Sequence, residues 1–437
     1  MAHKKRIGLY LTPAQIVRNP DYLGILRDEL GLNLVVLIFT GEFPANVLAH
    51  SPFDGTPPSA DRVQSLLARH FDGKPSTDKL ESALKSVGPH FSAGGDDKEV
   101  NAAIEIARKA GMEIWFMAGA WTASDYDVLM YNPALEANNV WYEAAYTHLA
   151  TGYDVDGLDI THARFPMTSY PRGLLLGFGD ESTQAATELG YDMAQMRADI
   201  QDAWDRLKTI DGTRLAAIAQ HDMGPFDYMQ LLGMRTGIID WFRFRSDLLA
   251  RNVKRFHTAV HAAAGADFLF GIDTYPASFS MFAGHNHIRW QEMSDYASPL
   301  LSHVDIFPMR TIVNSAKYLM ELHPQLSEAD ALGIVHRFAG LDSIGMPESI
   351  AEFALGEPDC EFRHVPLEKL MRLDMAKARL YLGDDVPSYP IIQGGGAPHP
   401  WPREKIETII ADTFATGHDG YVFQGTSSLV DYELKKD

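Results

Sequence analysis

The segment Gly152-Tyr-Asp-Val-Asp-Gly-Leu-Asp-Ile-Thr-His-Ala-Arg-Phe-Pro166 concentrates acids, a histidine and an arginine around a short apolar run. On an extended strand, side chains alternate, so Leu158, Ile160 and His162 share one face while Asp159, Thr161 and Ala163 share the other. A carboxylate on the inner face is costly unless it is solvated, paired or hydrogen-bonded, and Arg164 is a natural partner for Asp159. Either an Asp159–Arg164 pair simply fixes the loop, or Asp159 is a reacting group, with His162 an acid/base, a supporting residue or a core residue. Asp273, in Phe268-Leu-Phe-Gly-Ile-Asp-Thr-Tyr-Pro276, is a second acid at a strand end. Two carboxylates facing one cleft are the usual apparatus for cleaving a glycosidic bond: one donates a proton, the other attacks or activates water. Their surroundings would have to push their pKa values apart.

Other residues are weaker candidates. Glu42, in Thr40-Gly-Glu-Phe-Pro44, is either a substrate hydrogen-bonder or a solvated loop acid. Trp121, Tyr275, Trp290 and Trp401 lie near expected loops and could stack on sugar rings or simply pack. Arg310 and Gln424 follow strand-like runs and are expected to contact a substrate hydroxyl or carboxylate, whereas Asp305 is expected to fix a strand start. His285-Asn-His287 and His221-Asp222 suggest a metal, but two His at i, i+2 without a third ligand at known spacing are weak evidence, so no metal and no cofactor is expected. Gly394-Gly-Gly396 reads better as a turn before Pro398 and Pro400 than as a phosphate cradle. Cys360 sits among acids, which disfavours a thiolate nucleophile.

Runs that are apolar throughout suit parallel strands covered on both faces. They occur at 7–11, 34–39, 113–118, 157–162, 268–274, 304–309, 389–393 and 420–424. Helical patterns precede most of them, clearest at 99–110, which ends at Gly111, and at 248–264, which ends at Gly265. Strands alternating with helices in this number predict a parallel α/β protein. A (β/α)8 barrel fits better than an open sheet: no G-x-G-x-x-G follows the first strand and no G-x-x-x-x-G-K-[ST] occurs. Polar and aromatic residues gather after the strand ends, where barrels build their sites. One barrel over 1–437 is expected, with large loops after strands two (44–98) and four (167–240). The second of these, an insertion, would hold a helix near 191–207 and an apolar piece at 214–219 that reads as an extra strand.

The 437 residues are 46% hydrophobic and 22% charged, as in a soluble globular protein. Lys plus Arg number 38 against 58 Asp plus Glu, a formal charge of −20. That balance disfavours nucleic acid and anionic membranes and favours a small molecule or oligosaccharide as partner. Local positive patches around Arg164, Arg243, Arg245 and Arg310 would still admit one acidic sugar. A single cysteine excludes an intrachain disulfide and a thiolate cluster. The opening Met1-Ala-His-Lys-Lys-Arg leads into an apolar run too short for a signal segment, and no run reaches the roughly 20 residues of a membrane span. A cytoplasmic protein is the expectation, with homo-oligomerisation left open.

These residues resemble glycoside-hydrolase-like barrel families related to the α-galactosidase superfamily. Asp156-Gly157-Leu158 with Arg164, Phe165 and Pro166 is similar to their fourth-strand motif. Trp241-Phe-Arg-Phe-Arg-Ser-Asp247, Val304-Asp-Ile-Phe-Pro-Met309 and Asp419-Gly-Tyr-Val422 are similar to three further segments. The resemblance implies a (β/α)8 glycoside hydrolase with no organic cofactor. It also marks a departure, because the family's acid position falls on Thr161. Asp159 either substitutes for that acid from one layer deeper, or the barrel binds sugar without hydrolysing it. A metal-assisted isomerase or lyase using His285 and His287 is the remaining alternative.

Overall fold

The computed structural model describes residues 3–50, 97–123, 128–129, 132–165, 178–221, 223–302, 304–355, 364–393 and 403–424. Eight strands form its centre: β1 (Arg6–Leu11), β2 (Leu34–Ile38), β3 (Glu113–Gly119), β4 (Gly157–Thr161), β5 (Leu269–Thr274), β6 (Tyr296–Pro299), β7 (Ile391–Gln393) and β8 (Gly420–Gln424). They pair in parallel in the order β6-β5-β4-β3-β2-β1-β8-β7. Parallel bridges from Ala297 to Ser388 and from Leu300 to Ile391 join the two end strands and close the sheet. The result is the expected (β/α)8 barrel.

Helices return the chain between strands: α1 (Tyr22–Leu30), α2 (Asp97–Lys109), α3 (Glu136–Gly152), α4 (Thr236–Ala264), α5 (Arg310–Leu322), α6 (Leu367–Leu382) and α7 (Arg403–Ala415). The strands' outward residues pack against these helices in one large apolar cluster. Inside, Tyr10, Leu34, Val36, Trp115, Tyr296, Tyr389, Ile391 and Val422 fill the barrel. Trp115 stacks on Tyr296 with ring centroids 4.2 Å apart. Gly271 on β5 makes room for that stack, since a Cβ there would lie 2.1 Å from the Tyr296 ring. No described helix is long and apolar enough to cross a membrane.

The base of the barrel repeats one device. The residue just before a strand accepts a backbone N–H from the start of the preceding strand. Asn33 takes that of Ile7 at 2.9 Å, Asp156 that of Ile114 at 2.8 Å, Asp295 that of Phe270 at 2.8 Å and Asp419 that of Ser388 at 3.0 Å. Each bond satisfies a donor that the ladder leaves over, and so sets the register. Asp156 and Asp419, two acids of the quoted motifs, are therefore strand clasps rather than members of a site.

Two expectations are corrected. The sixth strand is Tyr296–Pro299, not 304–309; residues Asp305–Met309 form a π-helical turn leading into α5. Pro308 lacks the N–H a central strand must donate, whereas Tyr296 supplies the large inward ring the barrel interior needs. The apolar piece at 214–219 lies within a helix, Gly212–Gln220, whose first turn is capped by the Asp211 carboxylate. Between β4 and α4 the described residues also form helices Asp180–Glu188, Met193–Thr209 and Pro225–Leu231.

Candidate active site

Strand alternation and register bring the two acids together. Asp159 on β4 pairs in register with Gly271 on β5, so Asp273, two residues on, stands on the same inward face one step nearer the C-terminal mouth. Asp273 in turn lies in register with Ser298 on β6. The two carboxyl groups stand on neighbouring strands, close enough for the charge on one to act on the other. Asp159 is 1% exposed and Asp273 7% exposed, so both acids are buried.

Hydroxyls converge on the deeper acid. Tyr10 donates to Asp159 Oδ2. The Tyr296 hydroxyl lies 2.9 Å from the Leu158 carbonyl and 3.3 Å from Asp159 Oδ1. Burial raises both tyrosines well above the usual phenol value, and the Asp159 charge adds to it. Both hydroxyls therefore keep their protons and donate.

Burial likewise pushes Asp159 up to about 6, opposed by the donors that favour its ionised form. Asp273 is raised further, well above the usual carboxylate range, by burial first and then by the neighbouring Asp159 charge; Thr161 and Arg164 oppose this rise. Burial and the like charges both oppose full ionisation, so the two acids titrate as a pair that holds a proton more tightly than a free carboxyl does.

The strand-end loops frame the upper acid. His162 leaves β4 in the left-handed region at φ +60°. Such a conformation is uncommon for a residue with a Cβ, and it turns the chain so that the Arg164 N–H bonds the His162 carbonyl at 2.8 Å. The buried Arg164 guanidinium lies over the rings of Tyr275 and Phe307, at 5.4 and 4.9 Å. His285 ties the two loops: its Nδ1 accepts the Tyr275 N–H at 2.8 Å, and its Nε2 lies 2.9 Å from the Ala163 carbonyl. Nδ1 must then be bare and Nε2 must carry the proton, which fixes one neutral tautomer. Burial lowers the ring's pKa to about 3, in agreement.

The remaining sequence candidates fall elsewhere. Trp121 is fully buried, with its Nε1 donating to Asn139 at 3.2 Å and its ring packed on Tyr142 and Phe256. Trp290 and Tyr275 are each 1% exposed and packed against loop residues, so neither offers an open ring face. Glu42 is exposed on the loop after β2, where its charge acts on the Tyr153 hydroxyl, and its N–H bonds Asp97 at 2.9 Å. Arg310 is exposed at the first residue of α5. Gln424 ends β8 half-buried and accepts from the Ser302 hydroxyl at 2.5 Å. His285 and His287 do not pair as metal ligands, because both nitrogens of His285 are engaged by backbone groups. Trp401, Asp222, Cys360 and 394–396 lie outside the described residues.

No protein-family model and no curated protein matches the chain. Among solved structures it is similar to the glycoside hydrolase domain of PgaB (BpsB) from Bordetella bronchiseptica. Identity there is 12%, the TM-score is 0.48, and the match covers 98% of this chain and 96% of that one. It is also similar to the catalytic domain of a beta-amylase from Paenibacillus polymyxa, at 9% identity and a TM-score of 0.49, covering 100% and 98% of the two chains. Both neighbours are glycoside hydrolase domains, and neither points specifically to the α-galactosidase superfamily.

Proposed function

We propose that this barrel is a carbohydrate-active enzyme that hydrolyses a glycosidic bond, with Asp273 as the general acid and Asp159 as the residue that keeps it protonated. The observation that carries the reading is the placement of two buried acids on one inward face of neighbouring strands β4 and β5, where burial and like charge favour a retained proton. A carboxylic acid that retains its proton near neutral pH can protonate a departing sugar oxygen as the C–O bond breaks. Once the proton has gone, the Asp273 carboxylate can take one from an incoming water, whose oxygen joins the anomeric carbon. The pair returns to its starting state, and one water is consumed for each bond cleaved.

Depth also changes the role expected of Asp159. Carboxyls that flank a glycosidic bond stand about 5–5.5 Å apart in retaining enzymes and about 6.5–9.5 Å in inverting ones. Asp159 lies a step below Asp273 and is 1% exposed, so in this reading it positions and charges its neighbour rather than attacks. Arg164 adds a buried positive charge beside Asp273, suited to a developing oxyanion or an acidic sugar. The burial of both acids favours a second reading, a sugar-binding barrel without hydrolysis.

A screen of aryl glycosides and natural oligosaccharides separates the two. Product release by the wild type, with kcat reduced about 10²–10⁴-fold in Asp273→Asn, supports hydrolysis. Asp159→Asn should move the alkaline limb of the pH profile to lower pH, because Asp273 loses the like charge that raises it. Ligand that raises the melting temperature without any product supports the binding reading. An Asp273→Asn enzyme as active as the wild type would remove Asp273 from the mechanism.

A further inference from the structure

At the base of the barrel, opposite the mouth, His257 and His261 lie one turn apart on α4 and both face Asp295. His257 Nε2 is 3.2 Å from Asp295 Oδ1 and His261 Nε2 is 2.9 Å from Oδ2. The two rings are 4.0 Å apart, and one ligand atom from each of the three residues lies within 4.8 Å of the others. The Phe270 N–H holds Asp295 Oδ2 at 2.8 Å, so the carboxylate is oriented by backbone and not only by the histidines.

The repeated base device makes this cluster stand out. Where Asp156 clasps β3, Arg108 from the helix before that strand meets the acid at 2.6 Å. Where Asp419 clasps β7, Arg379 from the helix before that strand stands 3.6 Å from it. Asp295 clasps β5 in the same way, but the helix before β5 offers two imidazoles in place of an arginine. The position that holds a fixed cation twice elsewhere here holds two nitrogen donors with a carboxylate between them.

We propose that His257, His261 and Asp295 bind one divalent transition-metal ion of the zinc type, which fastens α4 to the start of β6. Tetrahedral coordination with Zn–N and Zn–O bonds of about 2.0–2.1 Å places neighbouring ligand atoms about 3.3 Å apart. The observed separations of 3.2 and 2.9 Å run to the two oxygens of one carboxylate, and one ligand atom of each residue lies within 4.8 Å of the others, so a cation enters as the three side chains draw onto one centre. On binding, each ring gives up the Nε2 proton that it donates to Asp295 and presents that lone pair to the metal; a ring neutral beforehand takes its proton at Nδ1 instead, a charged one releases a proton to solvent, and water fills the fourth position. The ion takes the structural part played by arginine at the sister positions, since the N-terminal face of a barrel serves stability rather than chemistry.

The test uses the full chain freed of metal, with Zn²⁺ and Co²⁺ as the probes. Expected are one site per chain by calorimetry, a tetrahedral Co²⁺ absorption band, and a melting temperature raised on the order of 2–5 °C at saturating metal. His261→Gln and Asp295→Asn should each lose the site. In case those variants fold poorly, diethyl pyrocarbonate labelling of the wild type reads the same question. Zn²⁺ should protect the peptide holding His257 and His261 at least fivefold, while labelling of exposed histidines elsewhere is unchanged. Labelling of that peptide unaffected by Zn²⁺, or Co²⁺ binding retained in a folded His261→Gln protein, overturns the proposal.

Discussion

Asp159 illustrates how one side chain sets the behaviour of its neighbours. It is a buried acid held by the Tyr10 and Tyr296 hydroxyls. Both acids of the pair have raised pKa values, so the folded chain binds protons there more readily than the unfolded chain does. Their contribution to stability is therefore full below about pH 4, the ordinary carboxylate value. It declines as pH rises through about 6. In Asp159→Asn the amide oxygen still accepts from Tyr10, and the buried charge is gone. Thermal melts should show the variant more stable than wild type at pH 7, with the difference vanishing toward pH 4. A variant less stable at pH 7 than at pH 4, relative to wild type, would mean that the ionised pair is favourable.

The elements explain why these acids meet. Two-residue alternation puts Asp159 and Asp273 inside, and this much is legible in the sequence: the apolar runs at 157–162 and 268–274 show their period plainly. The tyrosines that hold Asp159 are not legible. Tyr10 reads as one more apolar member of β1, and Tyr296 stands in a four-residue strand of small and polar residues that Val304-Asp-Ile-Phe-Pro-Met309 outcompetes on pattern. The His257–Asp295 contact is hidden for a different reason: the helix spacing shows the histidine pair, but only the turn before β6 supplies the acid. Burial of an aromatic is a tertiary property that its neighbours in sequence do not show: Trp121 is followed by loop residues yet packs against α3 and α4. Gly271 makes the β5–β6 contact specific. Gly271→Ala should push the Tyr296 ring off Trp115 and destabilise the protein by about 1–3 kcal/mol, as for other overpacked core positions. Urea unfolding and the near-ultraviolet aromatic signal would check this, and an unchanged midpoint would contradict it.

Across the whole molecule, closure of the sheet gathers the strand ends into one mouth while the base stays a set of clasps. The formal charge of −20 surrounds this frame and repels itself. Raising the salt from about 20 mM to about 200 mM shortens the range of that repulsion, so the melting temperature should rise by a few degrees, and a fall would indicate that ion pairs outweigh it. The central claim concerns a single proton at the mouth. Infrared difference spectroscopy of wild type against Asp273→Asn at pH 7 reads it directly, through the C=O stretch of a protonated carboxyl. The account predicts a carboxylic-acid band in the wild type that the variant lacks. A difference spectrum showing only the loss of an ionised carboxylate would contradict it.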